Sequence, residues 1–273
     1  MLWSKVIGAG GAGGVVEGWN VSTAVFVQSF SVSAQETGPR GISFKPDGTK
    51  MYVIGTVGDD VNEYDLSTAW DISTAVFLQS KSVAAQEANP FDVFFNPDGT
   101  KMYIIGSTGD AVDEFTLSTA WDVSTAVFVQ NKFVGAQEAD PVGLFFKPDG
   151  LKMYVIGTIG DDVNEYDLST AWDISTAVFL QSKSVAAQEI TPRGIFFKPD
   201  GLKMYVTGIA SDDVNEYDLS TAWDVSTAVF LQFKSVSTQD PNPHGLFFKP
   251  DGLKMYVIGL AVNGRVYEYD LTA

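Results

Sequence analysis

Residues 143–168 read GLFFKPDGLKMYVIGTIGDDVNEYDL, and this stretch decides the fold. Gly143-Leu144-Phe145-Phe146 is a continuous apolar run. Pro148-Asp149-Gly150 follows as a turn, with Pro where φ is fixed and Gly where φ can be positive. Met153-Tyr154-Val155-Ile156 is a second apolar run. A loop at Gly157–Asp161 then leads to Val163-Asn164-Glu165-Tyr166-Asp167-Leu168, which alternates with period two. β-branched and aromatic residues dominate all three runs, as strands require. No sustained 3.6-residue period occurs, so helices are expected to be almost absent.

Working outward, the stretch is one part of a 51-residue unit that occurs five times. The copies begin at Trp19, Trp70, Trp121, Trp172 and Trp223 and run to the last residue, so the repeats are 19–69, 70–120, 121–171, 172–222 and 223–273. A period of this size marks a repeat architecture. Each unit adds a fourth run, Ala-Val-Phe-x-Gln, reached through Ser-Thr-Ala-Trp-Asp. Four antiparallel strands per unit, repeated radially, predict an all-β, single five-bladed β-propeller. A linear solenoid is disfavoured, because solenoids need polar capping repeats and the fifth copy ends without one. The Gly-x-Phe-Phe run is expected innermost and the Ala-Val-Phe run outermost. The chain enters at an outer strand (24–32) and leaves at a third strand (266–271). The N-terminal outer strand is therefore expected to close the last blade around Tyr267–Asp270, removing an exposed edge. Residues 19–273 form the propeller. Residues 1–18 are read as a Gly-rich arm or a remnant of a preceding blade, because Lys5-Val6-Ile7-Gly8 echoes Met51-Tyr52-Val53-Ile54-Gly55.

The run Phe-Lys-Pro-Asp-Gly-x-Lys-Met-Tyr-Val-Ile-Gly, followed by Asp-Asp-Val-Asn-Glu-Tyr-Asp-Leu, resembles the PD40/YVTN (lactonase-like) class of propeller repeats. The resemblance covers about 30 residues of each unit. It departs from that class at Lys45, Asn96, Lys147, Lys198 and Lys249, which stand where the class has Ser, and in the Trp-Asp-x-Ser-Thr-Ala insert. It implies blade architecture. On function it is nearly silent, because the class includes lactonase-like enzymes, surface-layer components and interaction scaffolds.

Composition narrows the functions. The 273 residues include no Cys and one His, with 34 Asp+Glu against 17 Lys+Arg, a formal charge of −17. Thiolate chemistry and Cys-ligated metal sites are excluded. So acidic a surface repels phosphate backbones and anionic lipid, which argues against nucleic-acid and membrane partners. No stretch of 18 apolar residues offers a spanning helix. Nothing fixes a compartment, and the N-terminus lacks the apolar core of a secretion signal.

The copies differ in two places, before the inner strand and after the second strand, and alternation puts both at one end of the blade. One face is then monotonous and the other varied. On the varied face, beside the central channel, stand Arg40, Phe91, Val142, Arg193 and His244. Two cations, an aromatic and the single His are suited to an anionic or sugar-like ligand. The competing reading is drift at a solvated loop. Glu63, Glu114, Glu165, Glu216 and Glu268 read as a charged strand face, since five equivalent carboxylates do not make the unlike pair a glycosidase needs. Asp59-Asp60, Asp161-Asp162 and Asp212-Asp213 read as turn caps rather than a calcium loop. The repeated Trp residues read as packing anchors. Gly8-x-Gly10-x-x-Gly13 matches a dinucleotide fingerprint, but no helix can follow it. No cofactor or metal is expected.

These observations predict a non-catalytic binding or interaction module, not an enzyme. In this reading it is lectin-like, with a carbohydrate or protein partner, as a monomer or as an oligomer through the N-terminal arm. A structural or assembly component (virion, surface or filament protein, or engineered scaffold) is the alternative. A lactonase- or glycosidase-like hydrolase ranks last, because an active site needs broken symmetry and only the His244 ring offers any.

Overall fold

The computed structural model describes residues 18–261 and 263–271. The expectations placed on residues 1–17, the arm and the glycine fingerprint, lie outside the described residues. Five four-stranded antiparallel sheets make five blades, as the repeat predicts. The third copy shows the pattern. Its inner strand Pro141–Phe146 pairs with Lys152–Gly157, which pairs with Asp162–Leu168, which pairs with the outer strand Ala177–Ser184 of the next copy. The fifth blade has no next copy, and Ala24–Ser31 fills its place. Ala24 lies opposite Leu271, Val25 opposite Asp270 and Ser29 opposite Tyr267, which is the predicted closure. Among the described residues helix is confined to single 3₁₀ turns such as Val123–Thr125, each capped by an Asp or Asn.

Two repeated devices weld blade to blade. The Trp opening each copy is held at positive φ, between 64 and 78°. A bulky residue is rarely found there. The conformation lays the indole on the Pro-Asp-Gly turn of the preceding copy. A Cβ on Gly48 would lie 2.4 Å from the Trp70 indole, so that glycine, at φ 73°, is required twice over. The Trp70 carbonyl accepts from Tyr256 Oη at 2.6 Å, and the Trp121 carbonyl from Tyr52 Oη at 2.7 Å. The packing reading of the tryptophans therefore stands.

The second device corrects a sequence reading. The third-strand glutamates are buried, not a solvated face. Glu165 Oε1 accepts from Lys152 Nζ at 2.5 Å. Its Oε2 accepts from Gln181 at 3.0 Å and from the Val225 N–H at 3.1 Å. Val225 belongs to the turn feeding the next blade's outer strand. Burying a carboxylate without partners is costly, and these contacts supply them. The same latch closes the ring, through Glu216 to the Val21 N–H and Glu268 to Gln28.

Candidate functional site

The inner strands run along the channel, and each carries a bulge near its start. Pro39 pairs with Gly55 and Gly41 with Ile54, so Arg40 is an extra residue with no partner. Phe91, Val142 and Arg193 occupy the same bulge in their blades, and the fifth-blade irregularity spans His244. A bulge re-aims a side chain, and bulges recur beside active sites. Here it brings Arg40, Phe91, Arg193 and His244 within reach of one another.

Four of the five come together. Arg40 Nη1 lies 2.7 Å from His244 Nε2 and donates to it, leaving the imidazole proton on Nδ1. The Arg40 guanidinium carbon is 5.3 Å from the Phe91 ring centroid, and that of Arg193 is 6.0 Å from the same ring. Both distances suit cation–π attraction. Val142 is buried at 2% exposure and makes no polar contribution. His244 is equally buried at 2%, whereas Arg40 and Arg193 are half-buried, so the guanidinium groups rather than the imidazole face the mouth. Burial, then Arg40 and Arg193, push the His244 pKa down to about 2, so it is neutral at physiological pH. Burial and Arg193 lower the Arg40 pKa, and burial lowers that of Arg193. Every ion pair among the described residues uses a lysine. The Nε atoms of Arg40 and Arg193 are buried with no hydrogen-bond partner among them. Two crowded guanidinium groups on a chain of charge −17 are a local inversion of its field.

The loops around the mouth are pinned by a carboxylate that sequence reasoning passed over. Glu138 Oε1 accepts from the Asp140 N–H at 2.9 Å, and its Oε2 from the Gly160 N–H at 3.0 Å. It thus ties the loop before the inner strand to the loop after the second strand. Glu36, Glu87, Glu189 and Asp240 do the same in the other blades. Both varied loops therefore share one face, as alternation predicts.

One residue past the bulge, symmetry breaks. Four blades carry Gly41, Gly143, Gly194 and Gly245, and the second carries Asp92. The strands converge tightly here. A Cβ on Gly194 would lie 2.5 Å from the His244 carbonyl oxygen, and one on Gly41 would lie 2.7 Å from Asp92 Oδ1. The Asp92 carboxylate accepts from its neighbour Val93 N–H at 2.9 Å and from the Leu144 N–H of the next blade at 3.1 Å. It lines a throat of about 20 Å³ with aliphatic residues such as Ile42 and Leu144 and with Ser43, Phe94, Phe145, Phe196 and Phe247. That volume admits about one water molecule. Burial pushes the Asp92 pKa up to about 7, against the opposing effect of the two N–H donors. A carboxylate poised there can take or give a proton at neutral pH. Comparing the five copies at this position would have found it. The reading missed it because Phe91-Asp92-Val93-Phe94-Phe95 looks like the other inner runs.

No family model matches the chain, and no curated protein does. Solved structures do. A luciferin-regenerating enzyme superposes with a TM-score of 0.54 at 16% identity, over 90% of this chain and 95% of its own. Kuenenia stuttgartiensis hydrazine synthase gives a TM-score of 0.50 at 18% identity, over 86% of this chain and 59% of its own. A proposed 6-phosphogluconolactonase from Bacteroides uniformis gives 0.49 at 16% identity, over 85% and 71%. At such identity the likeness speaks for the propeller fold.

Two expectations are corrected here. The chain was read as a non-catalytic, lectin-like or structural module and as no enzyme. A luciferin-regenerating enzyme that shares its fold is named as an enzyme, which counts against that reading. The physical reason is the one the sequence argument itself used. It granted broken symmetry to the His244 ring alone, and Asp92 adds a second break where four blades have glycine.

Proposed function

We propose that the chain is a hydrolase acting on a small anionic ester or lactone at the varied mouth of its channel. Its repeat then belongs with the lactonase-like PD40/YVTN propellers that it resembles. Arg40 and Arg193 hold the substrate's anionic group, and Phe91 flanks it. Val142 and His244 close the walls, with His244 fixing the Arg40 side chain through Nε2. Asp92 is the general base. It removes a proton from a water molecule, whose oxygen adds to the carbonyl carbon. Collapse breaks the carbon–oxygen bond to the leaving alkoxide, which recovers the proton from Asp92. A guanidinium group beside the developing oxyanion lowers the barrier in a site that excludes bulk water.

The observation that carries this reading is Asp92, a carboxylate held near neutrality where four blades have glycine. The test uses a panel of carboxylate- and phosphate-bearing esters and lactones. Turnover by the wild type, lost in Asp92→Asn with substrate affinity kept, supports the assignment. Affinity lowered at least tenfold in Arg193→Met with Asp92 intact supports the anion site. A panel without turnover, or turnover indifferent to Asp92→Asn, contradicts the proposal.

A further inference from the structure

The channel has a second end, on the monotonous face, and its symmetry is broken too. The fifth residue of the inner strand is Phe94, Phe145, Phe196 and Phe247 in four blades, and Ser43 in the first. The four rings make a chain of edge-to-face contacts around the axis. Phe94 meets Phe145 at 5.4 Å and 71°, Phe145 meets Phe196 at 5.1 Å and 67°, and Phe196 meets Phe247 at 5.3 Å and 68°. The chain of contacts stops there. Between Phe247 and Phe94 stands Ser43, 6% exposed. The two end rings are only partly buried, whereas Phe145 and Phe196 are buried. A cavity of about 170 Å³ opens at this end, lined by these rings and by the prolines of the Pro-Asp-Gly turns.

We propose that this end is a binding site for one small aromatic molecule, seated in the place of the missing fifth phenylalanine. An apolar cavity of roughly 150 Å³ takes up a benzene-sized guest. A guest ring completes the circle, edge-to-face with Phe94 on one side and Phe247 on the other, an arrangement that stabilises beyond area burial alone. The Ser43 hydroxyl adds one hydrogen bond, so phenols and indoles bind better than alkanes of equal size. The throat that Asp92 lines shares Ser43 and the four phenylalanines with this site, but at about 20 Å³ it is too narrow for an aromatic ring to reach the arginine mouth. Its test therefore stands apart from that of the proposed hydrolase.

The experiment titrates phenol and toluene into the full chain and follows aromatic and Ser43 NMR signals. The wild type and Ser43→Ala are expected to show saturable shifts at Phe94 and Phe247, with phenol tighter than toluene in the wild type alone. Ser43→Phe is expected to weaken both ligands at least tenfold while keeping or raising Tm. If Ser43→Phe unfolds, Ser43→Met fills the slot with a flexible chain and carries the same expectation. No saturable shift in the wild type, or equal binding in the filled variant, overturns the proposal. So do ligand-free shifts at these residues that grow with protein concentration, because a second copy is then the occupant.

Discussion

Replacing Asp92 by Asn turns the throat into a measurable pH dependence of stability. In the folded protein the Asp92 pKa is about 7, against 3.8 for the free side chain. The folded state therefore binds more protons than the unfolded one between about pH 4 and 7. Stability contributed by the protonated form is complete below pH 4, falls as pH rises through 7, and is level above it. Each pKa unit corresponds to 1.36 kcal/mol, so the full loss is about 4 kcal/mol. Asp92 keeps some contact with the channel, so about 2–4 kcal/mol is the expected range. The Asn variant carries a fixed cost, because one backbone N–H now faces an amide, but that cost does not change with pH. Urea denaturation of both proteins at intervals from pH 4 to 8 gives the comparison. The stability of the variant minus that of the wild type is expected to rise by about 2–4 kcal/mol over this range. Asp113 is also pushed up to about 7 by burial and by Glu87, and it cancels in the difference. A difference that stays flat with pH refutes the reasoning.

Other substitutions probe the latches and the mouth. Glu165→Ala leaves Lys152 and the Val225 N–H without their buried acceptor. Lys152 keeps Asp167, so the expected loss is about 2–3 kcal/mol by denaturation. Gly48→Ala, at positive φ and against Trp70, is expected to cost about 2–3 kcal/mol. Gly109→Ala, whose nearest neighbour lies 4.0 Å away, is expected to be within about 0.5 kcal/mol of neutral. Arg40→Met removes a cation facing His244, so the His244 pKa, followed by NMR, is expected to rise from about 2, while burial and Arg193 hold it below the ordinary imidazole value. An unchanged value there would mean that Arg40 does not face the imidazole in solution.

The architecture was legible because its signals are local. Pro148-Asp149-Gly150 specifies a turn, the flanking runs specify strands, and the period counts the blades. Closure was legible because the first and last strands are complementary halves of one blade. The bulge residues Arg40, Phe91, Val142, Arg193 and His244 were singled out through their variety, although the burial of Phe91, Val142 and His244 was not foreseen. The buried glutamates were not legible, because the Val225 N–H that accommodates Glu165 lies 60 residues away and alternation alone cannot show it. Asp92 and Ser43 are a different kind of miss. Each is a single departure inside an inner strand, hidden by the apolar residues around it. Each is visible once all five copies are aligned at that position rather than only at their loops.

Hydrolysis measured against pH tests the assignment of Asp92 most directly. With a turned-over anionic ester or lactone, kcat/KM is expected to rise with pH along a limb whose midpoint lies near 7. In a folded Asp92→Asn protein that limb is expected to vanish. A limb that persists in the variant, or a wild-type rate that is level between pH 5 and 9, would contradict the account.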